Sequence, residues 1–224
     1  GYHSLLQAKE LAFESEEAAA LNIEVIKDIH GKSEASTKKL ATELGEPEVL
    51  KGYGRRNTTL MAIAPTTSSA FILGQVSQGI EPIWSNCYVK DVAKMKVTIK
   101  NPTLLILLAE KGKDTKVTWD SIRDNDGSVQ HLDFLTDNEK AVFRTFAEIN
   151  QSKVIEQAGQ RQQYIDQGQS LNVMLPPDTP VKDINQLYLK AWKEGVKSLY
   201  YQHSLNAAQQ MVRKKLAEKE AEKK

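Results

Sequence analysis

From Gly54 to Gly74 the chain reads GRRNTTLMAIAPTTSSAFILG. The apolar run Thr58–Ala64 is short and ends at a proline, which is typical of a buried strand. Four hydroxyl residues follow Pro65 and predict a polar loop, and Ala70–Val76 has the composition of a helix start. The run therefore predicts a strand, a hydroxyl-bearing loop and a helix in direct succession, the kind of unit from which α/β folds are built.

The loop Pro65-Thr66-Thr67-Ser68-Ser69 is a candidate phosphate-binding site. The first turn of a helix presents backbone N–H groups that have no partner within the helix, together with a partial positive charge, and hydroxyls add further donors. The loop lacks the Gly-x-x-x-x-Gly-Lys pattern of Walker-type loops. Composition alone favours the plainer interpretation, which is a capped turn between a strand and a helix.

Two further motifs are candidates for function. Tyr200 and Tyr201 follow a helical stretch, and neighbouring side chains of an extended segment point to opposite faces, so one ring could pack while the other reaches a site. Taken alone, the pair is more simply two half-buried aromatic residues. The run Gly79-Ile80-Glu81-Pro82 carries a carboxylate that could order a loop or pair with a basic group, and this structural use is favoured over acid catalysis.

Composition limits the classes of protein. The 224 residues are 40% hydrophobic and 26% charged, which is typical of a globular chain of one domain or slightly more. A net charge of +1 argues against binding nucleic acid or membrane by charge, and apolar runs such as Leu104–Ala109 are too short to cross a bilayer. The single cysteine, Cys87, forms no internal disulfide and is expected to be a buried apolar residue in a cytoplasmic protein. No metal site is expected, because the histidines show no metal-binding spacing: His3, His30, His131 and His203.

Helical and strand patterns alternate along the rest of the chain and predict an α/β fold. Ser15 is expected to cap one long helix to Leu44, or two helices with a break near Gly31.

The chain begins with glycine rather than methionine, and we expect further sequence upstream. Residues 1–203 are expected to form one structural unit and 204–224 a charged helical or disordered tail. The remaining predicted elements are a strand at Trp84–Val92, helices at Asn101–Lys111, Asp137–Ile149 and Val154–Asp166, an ambiguous Trp119–Gly127, a strand at Leu171–Leu175, and a helix capped by Thr179 with Pro180 first.

Together the motifs resemble a known family. The run Gly54–Gly74 and its spacing to Gly79–Pro82 resemble the phosphate-loop region of class I ribonucleotide reductase large subunits. Gly195–Tyr201 resembles the terminal barrel strand of that family with its tyrosine pair, and Gln167–Pro177 lies between the two motifs. The resemblance extends from about Gly52 to Tyr201.

The resemblance implies a fold and an activity. The fold is a ten-stranded α/β barrel, of which this chain holds the C-terminal part, incomplete on its own. The family reduces ribonucleoside diphosphates to deoxyribonucleotides by radical chemistry for DNA synthesis. Pro65, Thr66, Thr67, Ser68 and Ser69 would hold the substrate diphosphate. Tyr200 and Tyr201 would pass a radical toward the active site, and a neutral tyrosyl radical avoids a costly buried charge.

The resemblance also implies partners and cofactors. The chain would bind no cofactor itself, would work with a small subunit that carries a di-metal tyrosyl-radical cofactor, and would need a dithiol reductant of the thioredoxin or glutaredoxin type. The radical cysteine of the family, its partner cysteines and its active-site asparagine and glutamate all belong to an upstream part. The N-terminal part of the catalytic subunit is therefore a required partner, and the completed large subunit is expected to be a homodimer. Alone, the chain is expected to be inactive and to expose unpaired strand edges.

Two alternatives remain open on the sequence. A non-catalytic nucleotide- or phosphate-binding module derived from the same fold would keep Thr66–Ser69 but would have no use for the tyrosine pair. A helical scaffold whose functional element is the polar stretch Ala207–Lys224 is the plainer possibility.

Overall fold

The computed structural model describes residues 1–92 and 95–204. Over this part the chain alternates helices with short strands and contains a single turn of 3-10 helix at Glu48–Leu50. The helices are α1 Tyr2–Ala8, α2 Glu16–Leu44, α3 Thr67–Ile72, α4 Pro102–Glu110, α5 Lys116–Asp124, α6 Asp137–Val142, α7 Gln151–Gln162 and α8 Val181–Lys193. The strands are β1 Cys87–Val92, β2 Met95–Lys100, β3 Val173–Met174 and β4 Gln202–His203. The predicted tail lies outside the described residues.

Local capping signals place three helix starts, those of α2, α4 and α6, where the sequence predicts them. The Ser15 hydroxyl accepts a hydrogen bond from Ala18 N at 3.1 Å, and α2 then runs unbroken through Gly31, so the one-helix alternative is confirmed. Asn101 caps α4, and Thr136 forms a reciprocal capping box with Glu139 at the start of α6. These starts depend on contacts within four residues, which a sequence pattern records directly.

Several helix ends and starts differ from the prediction, and α7, predicted over Val154–Asp166, begins at Gln151 and ends at Gln162. The helix predicted over Asp137–Ile149 ends at Val142, and the ambiguous Trp119–Gly127 is helical, within α5, only as far as Asp124. Thr179 does not cap α8, because its hydroxyl donates to the carbonyl of Pro176 at 2.7 Å and Pro180 occupies the cap position. The predicted strand at Leu171–Leu175 shortens to the two residues of β3.

Three extended segments lie side by side and in parallel. The middle one, residues 167–175, is called the central segment below. On one side it pairs with residues 60–64 through a bridge between Ile63 and Gln169, and on the other side β3 pairs with β4. The prediction of a buried strand at Thr58–Ala64 is wrong: this segment is half-buried to exposed, and among the described residues its backbone hydrogen bonds run on one side only, to Asp166 and the central segment.

Apolar side chains pack into two main cores. The first joins α1, α2 and α7 to the central segment. The second lies under the antiparallel β1–β2 hairpin, is closed by α4, α5 and α6, and contains Cys87 with 2% exposure, which confirms its apolar role. A small third cluster seats α8 on α7 and β3. Within the described residues the strands form two two-stranded sheets and do not close a barrel.

His3 is a fully buried polar residue in the first core. Its Nδ1 atom accepts a hydrogen bond from Ile83 N at 2.9 Å, and its ring meets the edge of Phe13 at 5.6 Å between centroids. Burial lowers the pKa of His3 to about 3. The ring is therefore neutral in the folded chain at neutral pH.

This burial predicts an acid-sensitive fold. Because the unfolded chain takes up a proton on His3 below a pH of about 6.5 while the folded chain does not, His3 stabilises the fold above that pH, and its contribution is lost as the pH falls toward about 3. His3→Asn keeps an acceptor for Ile83 but cannot titrate. We expect the variant to be less stable at pH 7 and to lose less further stability between pH 6.5 and pH 4, measured by urea unfolding across pH. Equal losses in both proteins would contradict the assignment.

Candidate functional site

The hydroxyl loop Pro65–Ser69 follows directly on the extended segment 60–64. The helix after it begins at Thr67, inside the predicted loop, and ends at Ile72, so the predicted start at Ala70 and end beyond Leu73 are both corrected. Thr66 adopts a left-handed backbone conformation, with φ 52° and ψ 28°, which turns the chain sharply into the helix. This sharp turn replaces the longer polar loop that the sequence predicts.

The loop keeps most of its donors exposed. The first helical hydrogen bond runs from Ala70 N to Thr66 O at 2.8 Å, so the N–H groups of Thr67, Ser68 and Ser69 precede it and have no acceptor within the helix. The Thr66 hydroxyl accepts from Gly79 N at 2.8 Å and keeps its own proton to donate, whereas the Thr67 hydroxyl donates to Gln78 at 3.3 Å. The arrangement offers backbone and hydroxyl donors to an anion.

Gly79 supports the loop by close backbone packing. It has a positive φ of 50°, and a Cβ atom at this position would lie 3.0 Å from the carbonyl oxygen of Ala64 and 3.4 Å from that of Pro65. A side chain here would push against the backbone that carries the hydroxyl loop. Gly79 therefore helps to position the loop, whereas the sequence had indicated only the carboxylate of this run as a residue that could order a loop.

Asp166 fixes the other end of the same segment. Its carboxylate accepts from Leu60 N at 2.7 Å and from Met61 N at 2.8 Å, as a capping carboxylate does at a helix start. Burial alone would raise the pKa of Asp166, but these backbone hydrogen bonds and the charge of Arg55 outweigh it and hold the pKa below its ordinary value. Residues 60–64 are thus tied down at both ends.

The tyrosine pair lies on the opposite side of the central segment. Tyr200 N donates to Leu171 O at 2.7 Å, and Val173 N donates to Tyr201 O at 2.9 Å. The two rings lie 4.2 Å apart between centroids and are both about half exposed, so the expectation of opposite faces is wrong. Regular strand pairing starts only at Gln202, so the two tyrosines precede the paired strand. The side-chain hydrogen bond between the two phenols raises the pKa of Tyr200.

Glu81 is buried and binds the central segment. Its carboxylate accepts from Asn172 N at 2.5 Å and from Asn172 Nδ2 at 3.1 Å, and the Asn172 side-chain oxygen accepts from Tyr201 N at 3.0 Å. Burial raises the pKa of Glu81, while the bonds from Asn172 and the charges of His203 and Arg161 act in the opposite direction. The structural use expected for this carboxylate is confirmed.

The remaining candidates carry no site chemistry. Burial raises the pKa of the Cys87 thiol, which disfavours the reactive thiolate. His131 Nε2 lies 2.8 Å from the Ser121 hydroxyl and is a satisfied polar residue, as expected. In residues 1–92 and 95–204, no group of three or more His, Cys, Asp or Glu side chains is placed to hold a metal. No helix in that part of the chain is long and apolar enough to span a bilayer.

Known proteins are similar to this chain in sequence and fold. The protein-family model for the ribonucleotide reductase barrel domain matches residues 47–202, which make up more than half of the chain. This chain belongs to the ribonucleotide reductase large-subunit family. The match begins and ends close to the limits that the motifs set, Gly52 and Tyr201, and it identifies the described residues as an incomplete part of that barrel.

Individual members of the ribonucleotide reductase family match most of this chain. The chain is 42% identical over 208 residues to the ribonucleoside-diphosphate reductase large subunit of Invertebrate iridescent virus 6 and 35% identical over 188 residues to subunit alpha of Chlamydia muridarum. These matches cover 91% and 83% of this chain but only 22% and 18% of the relatives. A solved structure, the class Id ribonucleotide reductase alpha subunit of Actinobacillus ureae, matches with a TM-score of 0.86 and 56% identity, over 92% of this chain and 38% of that one. The chain therefore spans a minor part of its relatives' length.

The structure brings the two candidate motifs to one place. The hydroxyl loop extends from the segment on one side of the central segment, and the tyrosine pair lies on the segment on the other side. Two strand spacings separate those outer segments, a distance of about 10 Å. Of the supporting residues, Glu81 belongs to the Gly79–Pro82 run that the sequence singled out, and Asn172 lies within Gln167–Pro177, which the resemblance places between the two motifs. No sequence signal indicated the role of Asp166.

The close packing at Gly79 gives a direct test. Gly79→Ala adds a Cβ atom 3.0 Å from a backbone oxygen, whereas Gly112→Ala, with a similar positive φ of 65°, meets nothing within 4 Å. Both variants carry a left-handed alanine, at about 1–2 kcal/mol, but only Gly79→Ala must also move the hydroxyl loop. We expect a larger loss of stability in Gly79→Ala by thermal denaturation. Equal losses would show that the loop does not depend on this contact.

Proposed function

We propose that this chain is the C-terminal portion of a ribonucleoside-diphosphate reductase catalytic subunit, which reduces ribonucleoside diphosphates to deoxyribonucleoside diphosphates for DNA synthesis. One observation carries the proposal: in a chain of this family, the hydroxyl loop and the tyrosine pair flank the same central segment. A donor-rich loop and a pair of touching phenols are the two features that a radical enzyme acting on a diphosphate needs at neighbouring positions.

The hydroxyl loop would hold the substrate diphosphate. The N–H groups of Thr67, Ser68 and Ser69 and the hydroxyls around them supply neutral donors without a bulky side chain in the way. The loop is exposed over its whole length from Pro65 to Ser69, so a ligand can reach it. Its two supports, at Gly79 and at Asp166, fix the backbone before the ligand arrives, which lowers the entropy that binding must overcome.

The tyrosine pair would carry the radical. Tyr200 and Tyr201 have ring centroids 4.2 Å apart, a separation that lets an electron and a proton move between two phenols with little rearrangement. Each transfer removes an electron and the phenol proton from one ring and returns both to the other, so each tyrosine is neutral before and after. Neutral species avoid the cost of a charge in the covered interior of a complete enzyme.

The chain would act only within a larger assembly. It contains one cysteine, which is buried in the second core, so it supplies neither a radical thiol nor a reducing pair at the site. The N-terminal part of the catalytic subunit would supply them, and a small subunit with a di-metal tyrosyl radical would start the chemistry. Exposed apolar side chains could be covered by such partners. Four of them are more than 70% exposed: Ile72, Leu73, Val181 and Trp192.

Two finer points of the assembly are part of the same proposal. The completed large subunit would be a homodimer located in the cytoplasm, and a thioredoxin- or glutaredoxin-type dithiol would restore its reduced state after each turnover.

A non-catalytic nucleotide- or phosphate-binding module remains the alternative function. The contact between the two tyrosine rings favours the enzyme, because a module that only binds phosphate does not need it.

The test is reconstitution of the reductase. The chain, as part of a complete large subunit, is combined with a matching small subunit and a dithiol, and deoxyribonucleotide formation is measured. We expect Tyr201→Phe to reduce turnover to background, because phenylalanine has no O–H bond to break, while the Kd for a ribonucleoside diphosphate stays unchanged.

Tyr53→Phe is the matched control, since this tyrosine is 73% exposed and lies outside both motifs. It should leave turnover and binding unchanged. Full activity of Tyr201→Phe would exclude the relay. Diphosphate binding without turnover in the unsubstituted protein would favour the binding module.

A further inference from the structure

We propose that Glu81 is a positioning residue for radical transfer, which holds Tyr201 in place through Asn172. The inference rests on the proposed function of the tyrosine pair and adds a residue to it. The two residues, with the hydrogen bonds between them and to Tyr201, are called the Glu81–Asn172 clasp below. Neither residue touches the reacting atoms, and their effect on the radical would pass through the backbone of Tyr201.

The clasp has a fixed hydrogen-bond polarity. The Glu81 carboxylate only accepts, and it faces two donors of Asn172, the backbone N–H at 2.5 Å and the side-chain amide at 3.1 Å. With its amide nitrogen committed to Glu81, the Asn172 side chain can present only its oxygen to Tyr201 N, at 3.0 Å. Glu81 thereby sets the orientation of the amide that binds the tyrosine backbone.

Tyr201 depends on this backbone contact. Its ring is 56% exposed in the described chain and contacts two other rings, Tyr200 at 4.2 Å and His203 at 5.9 Å between centroids. Its carbonyl accepts from Val173 N, so the clasp and this bond hold the peptide on both sides. Electron transfer between phenols falls steeply with misplacement, and reacting groups must be held within about 0.5 Å.

The position of Glu81 also connects the two halves of the site. Gly79, two residues earlier, donates to the Thr66 hydroxyl at 2.8 Å and packs on the backbone of Ala64. One short turn therefore supports the hydroxyl loop with its first residue and the tyrosine pair with its third. Burying a carboxylate with 6% exposure is unfavourable unless its bonds are used, and here both of its oxygens are.

The polarity of the clasp allows a swap experiment. In Glu81→Gln, the new amide must place a donor against one of the two donors of Asn172, and one hydrogen bond is lost. In Asn172→Asp, two carboxylates meet. The double variant E81Q/N172D has the same size and the same net charge as the original pair. In it, the amide introduced at position 81 accepts from the backbone N–H of position 172 and donates to the new carboxylate there, which still accepts from Tyr201 N.

The readout is the radical itself in the complete enzyme with its small subunit. An aminotyrosine at position 201, which is easier to oxidise than tyrosine, traps the radical there, and EPR measures its yield in the presence of a ribonucleoside diphosphate. We expect each single variant to lower the yield about tenfold or more and the double variant to recover most of it, with the Kd of the diphosphate within about twofold throughout.

A matched control separates positioning from general loss of stability. Asn86 is a buried amide beside the second core that donates to the carbonyls of Gly127 and Phe143, both at 2.8 Å, so Asn86→Asp also breaks a buried polar contact without touching Tyr201. Its radical yield per folded enzyme should stay normal. A normal yield in Glu81→Gln, or a double variant that folds but does not recover, would overturn the positioning role.

The same measurement distinguishes this inference from the proposed function. If no radical forms at position 201 even with Glu81 and Asn172 intact, the tyrosine relay is wrong, and the positioning role falls with it. If the radical forms there and is indifferent to the swap, the relay stands and only the role of Glu81 is refuted.

Discussion

The hydrogen bond from Arg161 to Gln169 is the constraint on which the rest of the site depends. Arg161 lies on α7 with no exposed surface; its Nε donates to Gln169 at 2.6 Å and a terminal nitrogen donates to Asn22 on α2 at 3.2 Å. Burial lowers its pKa to about 10. A buried guanidinium bound to neutral amides is stable only while every partner stays in place, so Arg161 fixes the central segment against two helices.

The two halves of the site follow from that placement. Gln169 pairs with Ile63, which lies two residues before the hydroxyl loop begins. Three residues after Gln169, Asn172 donates to Glu81 and accepts a hydrogen bond from Tyr201 N. Because the central segment has hydrogen-bond partners on both sides, a shift of one residue in its register would break both sets of contacts at once. The site is thus rigid along its middle, while its outer segments remain half-exposed.

The sequence predicts what depends on near neighbours and fails where distant residues decide. The caps Ser15 and Thr136 place the starts of their helices correctly, and the resemblance of Gly54–Gly74 identifies the family, because both signals lie within short runs. The burial expected for Thr58–Ala64 is wrong, since burial depends on neighbours that periodicity does not record. The pairing of Glu81 with Asn172 spans 91 residues, and a single sequence gives no sign of which polar residues will meet.

Side-chain amides supply hydrogen bonds to backbone groups that neighbouring strands supply in most sheets. The backbone around residues 143–150 and 163–170 is irregular, and buried backbone groups need partners. Gln151 donates to the carbonyls of Phe146 and Ile149, and Gln162 donates to those of Ile165 and Gln167. An amide both donates and accepts, so it can bind the backbone carbonyls of a turn and also accept a hydrogen bond from another residue, without introducing a charge. Glu81 departs from this rule: it is a buried acceptor without a donor of its own, and it lies where the hydroxyl loop and the tyrosine pair share one support. A position that requires a fixed direction of hydrogen bonding is better served by a carboxylate, because an amide can rotate and exchange its two ends.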